Sequence, residues 1–113
     1  MSDERRIADR VSPQSGLLSV VDRITETQLG TIANISETGF MLVTRRYIDV
    51  DSVFQLELTF NEKGKYENIQ LGAVCLWCVD TSAESSYWAG FHIIDISQKT
   101  EELLKLAIAD ISN

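Results

Sequence analysis

The stretch SVFQLELTF, residues 52–60, decides the fold class of this chain. Its apolar and polar residues alternate: Phe54, Leu56, Leu58 and Phe60 against Gln55, Glu57 and Thr59. Because successive side chains of a strand point to opposite faces, this alternation places all four apolar residues on one face. The pattern predicts a half-buried antiparallel strand, with one face in a core and the other towards solvent.

Five further apolar runs lie on either side of this strand, and each one is a strand candidate. They are GLLSVVDRI (16–24), QLGTIANIS (28–36), GFMLVT (39–44), NIQLGAVCLWCVD (68–80) and YWAGFHIIDI (87–96). Residues that favour turns separate the runs, as in Ser36–Gly39 and in Asn61–Lys65. Six short strands joined by turns predict a mainly β domain, either a small barrel or a sandwich.

The C-terminal segment changes to a helical period. Leu104, Ala107, Ile108 and Ile111 follow the spacing of one helix face, so they form an apolar stripe. Ser97 is a suitable N-cap residue, because its hydroxyl can accept a hydrogen bond from the first turn. A C-terminal α-helix over about 97–111 is predicted, packed by its stripe on the strands.

The composition describes a single globular domain of 113 residues, with 44% hydrophobic residues and one proline. We expect residues 1–16 to form a flexible, polar N-terminal leader and residues 17–113 to form the folded domain. The sequence has no apolar window long enough to cross a membrane. The charged start MSDERRIADR is not followed by the apolar stretch of a signal peptide. A cytoplasmic protein without membrane insertion is therefore expected.

The charges of the chain are divided unevenly. The net charge is −7, which disfavours a general DNA- or RNA-binding protein. All the arginines lie in the first part of the chain: Arg5, Arg6, Arg10, Arg23, Arg45 and Arg46. Since arginine binds phosphate or a base edge with two parallel hydrogen bonds, this part of an acidic protein has the residues for a local anion site.

The residue types used in enzymes and metal sites occur here without convincing partners. Cys75 and Cys78 form one C-x-x-C motif, and His92 is the only histidine, too few ligands for a four-coordinate zinc site. Redox C-x-x-C motifs use a helix N-terminus, whereas this one lies in a strand, where a separation of three predicts opposite faces. Two reduced cysteines that pack separately are expected. The sequence therefore favours a protein that is not an enzyme.

Two short motifs suggest a binding site. RRIADR contains Arg6 and Arg10 in an R-x-x-x-R arrangement, and NISETG contains Asn34, Ser36 and Gly39 at the end of a strand. Asn34 and Ser36 are two apart, so we expect their side chains on one face at the barrel edge, with Gly39 at positive φ in the turn. The alternative is an Asx or Ser turn, in which these side chains tie the hairpin together. Asn-Ile-Ser is also a glycosylation acceptor, which has no use in a cytoplasmic chain.

With these motifs in this order, the chain resembles the PilZ domain family. RRIADR is similar to the family's R-x-x-x-R and NISETG to its [D/N]-x-S-x-x-G, and the last strands and the helix also follow the family's order. The resemblance implies a six-stranded antiparallel PilZ-type β-barrel with a C-terminal α-helix, which binds the bacterial second messenger cyclic di-GMP.

The resemblance also implies a role for each motif residue. Arg6 and Arg10 would contact the phosphates and guanine edges of cyclic di-GMP. Asn34 and Ser36 would hydrogen-bond a guanine, and Gly39 would shape the turn. The leader would become ordered over the ligand and signal to an effector protein, without any cofactor.

Two further residues are candidates for the ligand site. Arg5 could add a phosphate contact. Trp77 either stacks on a guanine or packs in the barrel core, and the sequence leaves both open.

Three other functions compete with a cyclic di-GMP receptor. A PilZ-like adaptor for protein interactions could have lost ligand binding. A small β-barrel enzyme would use His92 or the cysteines, and an oligonucleotide-binding barrel is opposed by the charge of −7. The family regulates motility, biofilm formation and virulence, and the sequence does not select among these processes.

Overall fold

The computed structural model describes residues 19–59, 69–83 and 85–111. It has six strands and one helix: β1 (Ser19–Asp22), β2 (Thr27–Ile35), β3 (Gly39–Thr44), β4 (Val53–Thr59), β5 (Ile69–Asp80), β6 (Tyr87–Asp95) and α1 (Gln98–Ile111). Each element lies within the run that predicted it or differs from it by one residue. The predicted leader (1–16) and the predicted boundary between residues 16 and 17 lie outside the described residues, as do Phe60 and the Asn61–Lys65 turn.

The six strands form a closed barrel in the order β1-β2-β3-β6-β5-β4, and all neighbouring strands are antiparallel. Closure gives every strand a neighbour on both sides. The predicted fold class, a six-stranded antiparallel barrel with a C-terminal helix, is confirmed, and the sandwich alternative is wrong.

The barrel interior contains the apolar faces of all six strands. Phe40 and Phe91 stack with ring centroids 5.3 Å apart, and Phe54 meets Phe91 edge-on at 5.9 Å. Residues from every strand are buried around these rings: Val20, Ile35, Leu42, Leu56, Leu71 and Ile93. Burying an aliphatic side chain of this kind contributes about 1.5–3 kcal/mol, so the alternation seen in β4 drives barrel formation.

The helix begins and packs as its sequence predicts. The Thr100 amide donates to Ser97 Oγ at 3.1 Å, which confirms Ser97 as the N-cap. Leu104 and Ala107 are fully buried, and the helix contacts β5. In the part of the chain that the structure describes, no helix has the length and apolar content needed to cross a membrane.

The two ends of the barrel differ in their connections. One end, which we call the turn end, holds the β2–β3 turn at residues 36–38 and the passage from β6 into α1. The other end, the hairpin end, holds the β1–β2 and β5–β6 hairpins and the β3–β4 loop. Two β-bulges affect the site: one in β2 between Ile32 and Asn34, and one in β5 between Cys75 and Trp77.

Candidate functional site

The β2–β3 turn is closed by hydrogen bonds of Ser36. Its amide donates to the Gly39 carbonyl at 2.8 Å, and its hydroxyl oxygen accepts from the Thr38 amide at 3.2 Å. The same hydroxyl lies 3.3 Å from the Gly39 carbonyl oxygen and 3.2 Å from Thr38 Oγ1. Ser36 is 1% exposed, so its side chain is part of the turn's interior.

The prediction that Ser36 and Asn34 are presented together at the barrel edge is therefore wrong for Ser36. Strand β2 ends at Ile35, so strict alternation no longer applies to the next residue. The Ser36 hydroxyl bends back to the backbone of its own turn, a common use of serine at strand ends. Its predicted contact with a guanine is untested, and it would require these turn bonds to open.

Gly39 is required for the close approach of two strands and not for the turn conformation that was predicted. Its φ does not lie in the left-handed region, so the predicted positive φ is wrong. A Cβ at this position would lie 2.3 Å from the Phe91 carbonyl oxygen in the neighbouring strand β6. Glycine is needed here because the backbones of β3 and β6 approach closely, next to the bond from the Ile93 amide to the Thr38 carbonyl.

Asn34 faces the outside of the barrel because of the bulge in β2. The register moves from Ile32 opposite Leu42 to Asn34 opposite Met41, which leaves Ala33 unpaired. The half-buried Asn34 side chain points its Nδ2 towards Met41 Sδ at 3.9 Å. Its amide thus lies on the outer face of β2 and β3, and it does not share a face with the Ser36 side chain.

Trp77 also faces outwards, and a second bulge is the cause. Cys75 is opposite Phe91 and Trp77 is opposite Gly90, so Leu76 is the extra residue. Leu76 and Trp77 are 52% and 39% exposed. Of the two positions that the sequence left open for Trp77, the barrel core is wrong.

Four neighbouring strands place these residues in one row. Asn34 pairs with Met41, Met41 with Gly90, and Gly90 with Trp77. The row forms part of an open pocket of about 230 Å³, which is lined by Asn34, Phe40, Met41, Leu76, Trp77, Gly90 and Phe91. This volume is below the roughly 300–1,000 Å³ of pockets that enclose drug-sized ligands. The pocket is therefore small, with an amide at one end and an indole at the other.

Two larger concavities lie at the hairpin end, with volumes of about 510 and 480 Å³. Arg46 borders both of them, and Arg45 borders the first. Neither is lined by Asn34, Ser36, Gly39 or Trp77. Size alone would favour these concavities, whereas the positions of the predicted site residues favour the smaller pocket near the turn end.

The structure describes only one half of the predicted ligand site. Arg5, Arg6 and Arg10 lie outside the described residues, so their predicted roles stay predictions. Of the other half, Asn34 and Trp77 line one pocket, while Ser36 and Gly39 build the turn that follows Asn34. Met41 and Gly90 line the same pocket, and neither was predicted from the sequence. Only the pairing of the strands brings these two residues to the pocket, and the two bulges determine the register of that pairing.

The two cysteines are free, as predicted, but they do not point to opposite faces. The bulge at Leu76 brings both to the inner side of β5, on either side of the Ile48 backbone. The Ile48 amide donates to Cys78 Sγ at 3.4 Å, and Cys75 Sγ lies 4.0 Å from the Ile48 carbonyl oxygen. Burial, followed by the nearby Cys78, raises the pKa of the Cys75 thiol, which keeps it protonated and unreactive.

His92 does not line the candidate pocket. It is exposed on the outer face of β6, opposite Gly39 in β3 and Val74 in β5. Within residues 19–59, 69–83 and 85–111, no group of three or more His, Cys, Asp or Glu side chains could hold a metal ion.

Comparison with known proteins gives a family match and several similar structures. The model of the PilZ domain family matches residues 4–110. The motility inhibitor MotI/DgrA of Bacillus subtilis has a TM-score of 0.76 at 17% identity, over 94% of this chain and 50% of that chain. The PilZ domain of Escherichia coli YcgR with c-di-GMP has a TM-score of 0.70 at 15% identity, over 96% of this chain and 92% of that chain.

A third similar structure is MrkH of K. pneumonia, a transcription regulatory factor dependent on c-di-GMP. Its TM-score is 0.73 at 13% identity, over 96% of this chain and 51% of that chain. This chain thus spans about half the length of MotI/DgrA and MrkH. At such identities the likeness establishes the fold alone, and no curated protein matches the chain.

Proposed function

This chain belongs to the PilZ domain family, and from that premise we propose that it is a cyclic di-GMP receptor that signals to a partner protein. PilZ domains are binding and adaptor domains rather than enzymes, and we propose a non-catalytic role for this one. The main support is the pocket that Asn34 and Trp77 line from different strands. The PilZ domain of YcgR, which has the same fold, is known with c-di-GMP.

In this proposal the pocket binds one guanine of the ligand. The Asn34 amide has both donors and an acceptor, which suits the edge of a purine. Trp77 offers an indole face for stacking, and stacking of a base on an aromatic ring contributes roughly 1–3 kcal/mol. Ser36 and Gly39 act by fixing the turn behind Asn34, because the Ser36 hydroxyl is buried within that turn.

Arg6 and Arg10 would bind the phosphates, with Arg5 as a further contact. Cyclic di-GMP carries two phosphate charges, and the chain has a net charge of −7. An acidic protein repels such a ligand unless local cations compensate, so the N-terminal arginines are necessary to the proposal. Charge-assisted bonds from planar guanidinium groups are the strongest contacts available for this purpose.

The proposed signal is a change of residues 1–16 when the ligand binds. Fixing the backbone costs about 1–2 kcal/mol per residue, which the arginine–phosphate bonds must offset. A partner protein would then recognise the closed segment together with the barrel surface. The net charge disfavours DNA and RNA as partners. A cytoplasmic location stays a prediction from the sequence.

Calorimetric titration with cyclic di-GMP tests this function. We expect the full chain to give a heat of binding with cyclic di-GMP at tens of micromolar. Arg6→Ala or Arg10→Ala should abolish this heat, while circular dichroism shows an unchanged fold. Arg45→Ala is the matched control, because Arg45 is exposed at the hairpin end, away from the pocket. Absence of heat from the unmodified chain would contradict the proposal and favour a protein-interaction adaptor without ligand binding.

A further inference from the structure

Gly90 lies beneath the indole of Trp77. A Cβ at Gly90 would be 2.3 Å from both Cε2 and Nε1 of the indole, and 2.7 Å from Cζ2. Real Cβ atoms essentially never approach another heavy atom to within 3.0 Å. The indole therefore occupies the space that any other side chain at position 90 would fill. It leans from β5 across β6, towards the strand that carries Met41.

The backbone at Gly90 does not require a glycine. Its φ lies outside the left-handed region, so an L-residue could adopt the same conformation. The three atoms nearest to a Cβ at Gly90 all belong to the indole, in contrast to Gly39 and Gly30, where the nearest atom is a carbonyl oxygen. An exposed indole at the end of a side chain can swing away, so alanine at position 90 would move Trp77 and leave the barrel intact.

We propose that Gly90 is a positioning residue, which holds the Trp77 indole in the orientation that stacks on a guanine in the pocket. This inference rests on the proposed function. The row Asn34–Met41–Gly90–Trp77 spans the pocket floor, and only the two end residues have planar polar or aromatic groups. A small residue at the third position lets the indole lie low over β6, with part of its surface open to solvent and to a base.

A purely structural explanation also exists. Aromatic side chains can cover cross-strand glycines and stabilise a sheet in that way. In that case Gly90→Ala would alter stability but would leave the affinity for cyclic di-GMP unchanged. The two explanations thus differ in the readout that the substitution affects.

A double-mutant cycle, measured by calorimetry with cyclic di-GMP, separates these explanations. It uses the unmodified chain, Gly90→Ala, Trp77→Ala and the double variant. We expect each single variant to lose affinity by about 5- to 150-fold, the range for one stacked base. We expect the second substitution to add little to the first, because both remove the same interaction.

The control substitution is Gly72→Ala. A Cβ at Gly72 would lie no closer than 3.2 Å to any neighbouring side-chain or backbone atom, and Gly72 does not line the pocket. Its affinity should equal that of the unmodified chain. In a Trp88→Phe background Trp77 is the sole tryptophan, and Gly90→Ala should shift its emission to longer wavelength without ligand.

The outcomes distinguish the inference from the proposed function. Ligand binding with unchanged affinity in Gly90→Ala would overturn the inference alone. An equal loss of affinity from Gly90→Ala in the Trp77→Ala background would show that Gly90 does not act through the indole, and would also overturn it. No binding by the unmodified chain would overturn the proposed function, and the stacking role of Gly90 with it.

Discussion

The β2–β3 turn and the outer pocket lie next to each other. Each contains a glycine and a small polar residue, but these residues have different surroundings in the two places. In the turn, Gly39 faces a backbone carbonyl and Ser36 is buried. In the pocket, Gly90 faces an indole and Asn34 is only half-buried. The turn is held by backbone contacts that cannot yield, whereas the pocket is formed by side chains that can. Changes in the turn should therefore reduce stability, and changes in the pocket should reduce affinity.

The largest effect in this comparison is expected from Gly39→Ala. A Cβ there would lie 2.3 Å from the Phe91 carbonyl oxygen, so β3 and β6 must separate. We expect unfolding free energy to fall by about 3 kcal/mol or more, at the upper end of overpacking effects. Urea denaturation measures this, with Gly72→Ala as the matched control, because a Cβ at Gly72 would stay 3.2 Å or more from its neighbours. Equal losses in both variants would refute the distinction.

Trp77→Ala should show the opposite behaviour. The indole is on the outside of the barrel and 39% exposed, so its loss should lower unfolding free energy less than Gly39→Ala does. The substitution also removes the stacking contact with the ligand, so cyclic di-GMP binding should weaken by about 1–3 kcal/mol, the contribution of one stacked base. Calorimetry compares it with Trp88→Ala, since Trp88 does not line the pocket. Normal binding of cyclic di-GMP by Trp77→Ala would show that the indole is not part of the ligand site.

Ser36→Ala and Asn34→Ala make the comparison finer. Ser36→Ala removes hydrogen bonds within the turn, so we expect stability to fall by about 1 kcal/mol. Asn34→Ala should leave stability nearly unchanged and weaken ligand binding by about 2- to 13-fold. Thermal unfolding and calorimetry of both variants measure the two effects. If Ser36→Ala lost as much affinity as Asn34→Ala at full stability, the Ser36 hydroxyl would be a direct ligand contact.

The smallest expected effect concerns Cys75 and the pH. Burial raises the pKa of its thiol above the usual 9.0, so folded Cys75 keeps a proton that the unfolded chain loses. This contribution to stability is present below about pH 9 and is lost as the pH rises through the folded value. Urea denaturation between pH 7 and 10 should show a decline that is shallower in Cys75→Ala. Parallel declines in both proteins would contradict this assignment.

The sequence predicts the elements of this fold well, because their signals are local. Alternation in SVFQLELTF, the turn formers between the runs and the Ser97 cap each concern only neighbouring residues. Strand β3 begins and ends as predicted, at Gly39 and Thr44.

The sequence predicts the site less well, because bulges depend on how strands pair. The bulge at Leu76 places Cys75 and Cys78 on one side and turns Trp77 outwards. No alternation rule shows where an extra residue will be inserted. The contact of Gly90 with Trp77 likewise joins two strands, so it becomes visible only in the barrel. Asn34 also faces outwards because of a bulge, so only its place in the motif before the turn was predictable.

The most direct test follows Trp77 itself while cyclic di-GMP is added. In the Trp88→Phe variant, Trp77 is the only tryptophan, and its fluorescence reports contact with a base. We predict saturable quenching whose midpoint equals the dissociation constant from calorimetry. Calorimetric binding without any change in Trp77 fluorescence would contradict a guanine in this pocket, and no heat at all would contradict the receptor function.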